Sequence, residues 1–217
     1  CGNFDSTADN LAGVVAIGSH ALYGSGDTSN AASNTVAIGR DSLKNLTTGA
    51  NNTAIGYESA KANNNGYKNT ALGWNSFITN QSGYSNTAIG AEALYYTTSD
   101  ENVAVGDRAG AYTTGDANTY VGFKAGYGAS GAEADNVGVG SNSLLAVTEG
   151  GNNVCIGKSS GDSITTANQN TLIGAGTDTS VVNATNQTAI GYGTVGKGGN
   201  TVTLGNSDVT DVYMAFD

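Results

Sequence analysis

The sequence predicts an all-β fold, a left-handed parallel β-roll or β-solenoid of about 12 coils, and three observations lead to that prediction. A short string, seen as NTAIGYESA at residues 52–60, recurs in near-copies along the chain. The copies lie about 17 residues apart, which is typical of a solenoid built from stacked repeats. The composition, with 33 Gly, no Pro and 12% charged residues, favours turns over helices.

Each copy contains one glycine that serves as a reference, and positions are numbered below from that glycine. The twelve reference glycines are Gly18, Gly39, Gly56, Gly73, Gly90, Gly106, Gly122, Gly140, Gly157, Gly174, Gly191 and Gly205.

The three residues before each reference glycine are predicted to form a strand. Position −3 is always Val or Thr, position −1 is always aliphatic, and position −2 is most often Ala. This alternation of β-branched and aliphatic residues indicates a strand with positions −1 and −3 on one face. We expect that face to form the core of each coil. The persistent Ala indicates close packing on the other face, against either a neighbouring chain or the far side of a thin coil.

Position −4 is Asn in eight consecutive copies, and two interpretations fit it equally well. The side chains could form a ladder of amides that hydrogen-bond along the stack. Alternatively, Asn is chosen because it tolerates a left-handed backbone in the turn. The eight residues are Asn52, Asn69, Asn86, Asn102, Asn118, Asn136, Asn153 and Asn170.

The segment after each reference glycine carries a small residue at position +3 and often an apolar residue at position +4, such as Leu43, Phe77 or Leu94. We interpret this segment as a second short strand. A coil of this size encloses too few apolar side chains to offset an ordering entropy of roughly 1–2 kcal/mol per residue. We therefore expect the chain to be a homotrimer in which the Ala face packs against two identical chains.

The repeats NTAIGYESA, NTALGWNSF and NTAIGAEAL resemble the head repeats of trimeric autotransporter adhesins, the YadA-like left-handed β-roll. They also resemble the repeat shafts of phage tail fibres and of other bacterial surface fibres. The resemblance covers residues 14 to about 205, although the period is nearer 17 than the 14 usual in that family. It implies a non-catalytic homotrimer, located outside the cell on a bacterial surface or in a virion tail fibre, that attaches to another surface.

The resemblance also divides the chain into a lead-in at residues 1–13, the repeat domain at 14–205 and a tail at 206–217. The ending NTVTLGNSDVTDVYMAFD resembles the segment that precedes an endosialidase-type intramolecular chaperone in fibres. Cys1, followed by Gly2 and Asn3, would suit the mature end of a bacterial lipoprotein or a trimmed chain. Cys155 lies in a repeat and is predicted to be a buried thiol.

Two kinds of solenoid enzyme are the alternatives. A hexapeptide acyltransferase needs three aliphatic units per coil, but Lys61 and Tyr67 occupy two of those places, and His20 is the one candidate base. A polysaccharide depolymerase needs two carboxylates roughly 5–10 Å apart. The carboxylates here are mostly isolated in turns, and Glu58 and Glu92, which share position +2, are two copies apart. An ice-binding solenoid is disfavoured because the Thr column at position −3 is assigned to the core.

Partners are limited by charge and hydropathy. The net charge of −10 and the scattered basic residues argue against nucleic acid and anionic membranes, and no apolar run is long enough to span a membrane. No cofactor and no metal ion is expected. Recognition is expected at aromatic residues in the turns, which could bind a surface glycan or protein receptor or simply cover the coil ends and pack the trimer. The residues singled out are Tyr57, Trp74, Tyr67, Tyr84, Tyr95 and Tyr96.

Overall fold

A computed structural model describes residues 13–24, 32–128, 131 and 133–213. The expectations for Cys1 and for most of the lead-in therefore lie outside the described residues. The described residues form twelve short strands and no helix. The strands are β1 Val15–Ile17, β2 Val36–Ile38, β3 Thr53–Ile55, β4 Thr70–Leu72, β5 Thr87–Ile89, β6 Val103–Val105, β7 Thr119–Val121, β8 Val137–Val139, β9 Val154–Ile156, β10 Thr171–Ile173, β11 Gln187–Ile190 and β12 Thr201–Leu204.

All twelve strands belong to one parallel sheet in the order of the chain. Equivalent repeat positions pair directly, so that Thr53 is opposite Thr70 and Ala54 is opposite Ala71. Each strand thus stacks on the next after one turn of about 17 residues, and the chain makes about 11 turns. The predicted parallel β-solenoid and its repeat spacing are confirmed.

The assignment of positions −1 and −3 to the core was wrong, and of the two interpretations of the Ala face the far side of a thin coil is the correct one. Ala at position −2 points into the coil's own interior and is buried, as Ala37, Ala54 and Ala88 show. Positions −1 and −3 point outward and are half-buried or exposed. The Thr column, assigned above to the core, lies on this outward face. A Cβ built on Gly138, at position −2, would lie 3.2 Å from Leu144 Cδ1 at position +4, so the segment after the reference glycine packs directly against this face of the strand.

The segment after each reference glycine is not a second strand. Its backbone has positive φ at positions +2 and +4, for example 58° at Asp41 and 45° at Leu43. It is nevertheless bonded to the next coil, since the Leu43 N–H donates to the Ser59 carbonyl at 3.0 Å. Positions +3 and +4 are both buried, which a strand cannot achieve because its successive side chains alternate between faces.

The Asn residues at position −4 form the amide ladder. The backbone N–H of Asn69 donates to Asn52 Oδ1 at 3.0 Å, and Asn86 repeats the bond to Asn69 Oδ1 at 2.9 Å. Asn52 Nδ2 donates to the Gly66 carbonyl at 2.8 Å. The left-handed backbone belongs instead to position −5, where Lys68 has φ 57°. Because these amides are buried and satisfied, they tie each loop to the strand of the next coil.

Candidate functional site

The six aromatic residues predicted to bind a ligand fall into three pairs at different positions of the coil. Tyr57 and Trp74 occupy position +1, Tyr67 and Tyr84 lie in the loop before the Asn ladder, and Tyr95 and Tyr96 follow the buried Leu94. Within the described part of the chain, no ring–ring contact connects one pair with another. The structure therefore divides the predicted site into three places.

Tyr57 and Trp74 are on adjacent coils, and their rings do not contact each other. The guanidinium of Arg40 lies 4.7 Å from the centre of the Tyr57 ring, and Arg40 Nη2 donates to the Tyr57 hydroxyl at 2.7 Å. One face and the hydroxyl of Tyr57 are thus already in contact with the protein. The Trp74 ring is half exposed.

Tyr67 and Tyr84 stack on each other across one coil spacing. Their ring centres are 5.1 Å apart and their planes differ by 10°. The ammonium of Lys68 lies 5.8 Å from the centre of the Tyr67 ring. Nearby Asp100 and Glu101 raise the pKa of Tyr84 because a phenolate beside carboxylates is disfavoured. The pair is a compact ladder whose facing surfaces are closed to a ligand.

Tyr95 and Tyr96 belong to a larger arrangement, which we call the tyrosine pocket. It is a cavity of about 230 Å³ whose polar and aromatic lining consists of Glu92, Tyr95, Tyr96, Arg108, Tyr112 and Tyr127. Tyr96 stacks on Tyr112 with ring centres 5.3 Å apart. Tyr95 meets Tyr96 edge-on at 4.5 Å, and Tyr127 meets Tyr112 edge-on at 5.0 Å. Four aromatic rings from three consecutive coils thus form one continuous wall.

The repeat itself builds this wall. Tyr96 and Tyr112 both occupy position +6 of coils whose reference glycines are 16 residues apart, so their rings stack along the solenoid axis. The backbone bond from the Tyr96 N–H to the Ala111 carbonyl, at 2.7 Å, fixes their register. Tyr112 and Tyr127 are not among the six residues predicted from the sequence. The signal that could have found Tyr112 was the shared repeat position, since the sequence alone places it one coil beyond Tyr96.

An ion pair closes one side of the tyrosine pocket. Arg108 Nε and Glu92 Oε2 are 2.6 Å apart, and both residues occupy position +2 of adjacent coils. The hydrogen bond and the charge of Glu92 raise the pKa of Arg108. A hydrogen bond with Tyr127 raises the pKa of Tyr112, and burial raises that of Tyr95, so the phenols keep their protons. The pocket therefore presents phenol hydroxyls beside one balanced charge pair.

Outside the tyrosine pocket, the catalytic candidates His20 and Glu58 and the carboxylate of Asp41 are engaged by charged neighbours. Glu58 pairs with Lys61 at 3.0 Å, and Asp41 pairs with Lys44 at 3.1 Å. His20 is exposed, with Nδ1 3.3 Å from Asp41 Oδ1. The described residues contain no group of three or more His, Cys, Asp or Glu side chains that could hold a metal ion. In the same ranges, no helix has the length and apolar character required to cross a membrane.

A polar cluster inside the coil was not predicted. Within the described residues, Tyr120 Oη, Thr113 Oγ1 and Glu133 Oε2 are buried and have no hydrogen-bond partner. Glu133 Oε1 accepts a bond from the Thr114 N–H at 3.2 Å. Burial raises the pKa of Glu133 to about 7 and raises that of Tyr120 well above its usual value. Burial also raises the pKa of the Cys155 thiol to about 12, and this cysteine is buried and unpaired as expected.

The comparison of the chain with protein-family models returns no match, and the search of curated proteins likewise finds none.

Proposed function

We propose that this protein is a non-catalytic fibre module that forms a homotrimer and attaches to another surface. The observation that carries the proposal is the outward face of the sheet, where positions −1 and −3 leave aliphatic side chains in contact with water. Ile17 is 58% exposed and Leu72 is 41% exposed, and the column continues to Leu204 at 44%. Single soluble chains rarely expose a continuous apolar surface of this length, so a partner is expected to cover it.

A second copy of the chain is the partner that best matches this face. The columns repeat in register over twelve strands, so an identical chain presents the same spacing along its whole length. Three copies around an axis would cover all their outward columns, which is the closed arrangement that the adhesin and fibre resemblance implies. The corrected direction of the strand faces supports association through the aliphatic columns and not through the alanines.

The dimensions of the solenoid suit a rigid spacer. Eleven steps of about 4.8 Å give a rod about 50 Å long. A rod of this kind holds a binding surface away from its point of anchorage. We place it accordingly outside the cell, on a bacterial surface or in a virion tail fibre. The absence of catalysis is part of the proposal, and it is supported by the ion pairs that engage Glu58, Glu92 and Asp41.

Light scattering coupled to size-exclusion chromatography tests the oligomer. We expect a mass of about three times the 21.6 kDa of one chain. Leu72→Glu combined with Ile156→Glu should reduce the mass towards one chain, because each substitution introduces a charge into the covered face. Tyr192→Glu, at a turn residue that is 78% exposed, is the matched control and should leave the trimer intact. A native chain that is monomeric, or a double variant that stays trimeric, would contradict the proposal.

Attachment is tested separately with the trimer. The labelled protein should bind to a panel of bacterial and animal cells and be competed by an excess of unlabelled protein. Binding that cannot be competed on any cell would remove the adhesive part of the proposal and leave only the fibre.

The outward Thr column favours one second candidate, an ice-binding face. Thr53, Thr70 and Thr87 lie directly opposite one another on adjacent strands, on the outward face. Val103 and Val137 interrupt the column, which favours a protein partner. Thermal hysteresis in a freezing assay would support the ice-binding candidate, and its absence would leave the trimer as the better account.

A further inference from the structure

We infer that the tyrosine pocket, lined by Glu92, Tyr95, Tyr96, Arg108, Tyr112 and Tyr127, binds one neutral pyranose ring of a surface glycan. This inference rests on the proposed function, because it assigns the contact between the fibre and its target to one place on the rod.

The location of the pocket keeps it accessible in a trimer. The strand and the segment after the reference glycine pack face to face across the coil interior, with Gly138 opposite Leu144. The aliphatic columns belong to the strand side of the coil, and the pocket residues belong to the side formed by the chain after the reference glycine. Tyr96 comes two residues after the buried Leu94, in the part of the coil after the reference glycine, and is 48% exposed. Association through the aliphatic columns leaves this side in solvent.

The aromatic wall suits the apolar face of a sugar. A pyranose ring presents C–H groups on its faces and hydroxyls around its rim, and the negative face of an aromatic ring attracts such C–H groups. Tyr96 and Tyr112 are nearly parallel, with an interplanar angle of 18°, so they cover each other's facing surfaces. Tyr95 and Tyr127 stand almost perpendicular to them at 79° and 86°, and a sugar would lie against the faces of these two rings. Rings held by stacking and edge contacts are pre-organised, so little side-chain entropy is lost on binding.

The polar groups match vicinal sugar hydroxyls. Each hydroxyl both donates and accepts, so it requires a donor and an acceptor close together. The Nε–H of Arg108 donates to Glu92 Oε2. The terminal N–H groups of Arg108 can then donate to a sugar hydroxyl, and Glu92 Oε1 can accept from one. The phenol groups of the wall add further donors and acceptors.

Size and charge select the ligand further. The cavity of about 230 Å³ is smaller than the roughly 300–1,000 Å³ of pockets that enclose drug-sized ligands, which favours a single ring. Glu92 already balances the charge of Arg108, and the chain carries a net charge of −10. A sialic acid or uronic acid would bring a carboxylate against Glu92. A neutral hexose is therefore the better ligand.

The test uses the full chain on an array of oligosaccharides that end in glucose, galactose, mannose or sialic acid. We expect binding to a neutral group, and Tyr96→Ala combined with Tyr112→Ala should weaken it at least tenfold. Arg108→Gln should weaken it less, because the aromatic wall remains. Tyr67→Ala combined with Tyr84→Ala removes a stacked pair outside the pocket and is the matched control, which should bind like the native chain. Circular dichroism melting checks that all variants fold.

The outcomes separate the pocket from the fibre. No binding to neutral glycans, binding restricted to sialylated glycans, or equal binding by the pocket and control variants would overturn the assignment. If cell attachment and the trimer persist in those cases, the proposed function stands and the pocket is wrong. If the native chain forms no trimer and attaches to no cell, the proposed function fails independently of the array.

Discussion

The coil that contains Phe77 and the coil that contains Tyr120 each fill their own interior with one large ring, but the ring comes from opposite sides of the coil. Phe77 is at position +4, in the segment after the reference glycine, and the strand positions Ala71 and Ala88 leave room for it. Tyr120 is at position −2, on the strand, and position +4 of its coil is Gly126. Both large side chains are fully buried. The interior thus accepts a large ring from either side, provided that the facing position is small.

Glycines surround Tyr120 where other coils carry larger residues. A Cβ on Gly126 would lie 2.3 Å from the Tyr120 ring, and Cβ atoms on Gly110 and Gly138 would lie 3.1 and 3.2 Å from it. The exchange of volume is therefore local and involves three coils. This exchange explains why Tyr120 can replace Ala at position −2. In the same way, Gly161 makes room for Cys155 at position −2 of its coil. The two coils differ in polarity, since Tyr120 brings a hydroxyl into the interior together with Thr113 and Glu133.

The largest effect is expected from Phe77→Ala. Removing this buried ring leaves a cavity between two alanines, and the expected loss is about 3–5 kcal/mol in the free energy of unfolding. Chemical denaturation followed by circular dichroism measures it. Phe123→Ala removes an exposed ring of the same type and should cost less than about 1 kcal/mol. Equal losses for both variants would show that Phe77 does not fill the interior.

Gly126→Leu should convert the Tyr120 coil into an overfilled one. Leu at position +4 tolerates the left-handed backbone, as Leu94 does with φ 47°, so the clash with Tyr120 is the main cost. We expect a loss of about 1–3 kcal/mol or more. Adding Tyr120→Ala should recover most of that loss, because the double variant reproduces the arrangement at Phe77. Purely additive losses in this double-mutant cycle would contradict the exchange of volume.

The buried carboxyl of Glu133 should make stability depend on pH. Its pKa is about 7 in the folded chain and 4.5 in the reference state, so folding favours the protonated form. The contribution of Glu133 is fully present below about pH 4.5 and is lost as the pH rises to about 7, a loss of roughly 3 kcal/mol.

Denaturation at a series of pH values compares the native chain with Glu133→Gln, which should lack this decline. Glu149→Gln, at an exposed residue, is the control and should keep it. A decline that is identical in all three proteins would assign the pH dependence to other groups.

The smallest effect is expected from Tyr120→Phe. The variant keeps the buried ring and removes a hydroxyl that has no hydrogen-bond partner among the described residues. Stability should be unchanged or higher by up to about 1 kcal/mol, because the desolvation cost of the hydroxyl disappears. The same denaturation measurement applies. A loss above 1 kcal/mol would show that the hydroxyl is satisfied within the coil.

The repeat predicts which tyrosines stack along the candidate site, but it does not predict which other side chains complete the site. Tyr95 and Tyr96 could be singled out as aromatic residues in a turn, and the solenoid period places Tyr112 beside Tyr96. The edge contact of Tyr127 and the Arg108–Glu92 pair depend on side-chain directions in the turns. Likewise, Tyr57 was expected to offer a free ring, whereas Arg40 covers one of its faces.

The repeat pattern was enough to predict the solenoid, its period and the strand before each reference glycine, because one short pattern recurs at a fixed spacing and only stacked coils place such copies in register. It did not reveal that the segment after each reference glycine is not a strand. The pattern restricted position −4 to two interpretations, an amide ladder or a left-handed turn. The tertiary structure decided between them and decided which strand face is the interior. Alternation with period two shows that the two faces of the strand differ, but it does not show which face points into the interior of the coil. The segment after the reference glycine settles this, because it packs on the face that carries position −2 and leaves Thr53 and Ile55 on the outward face.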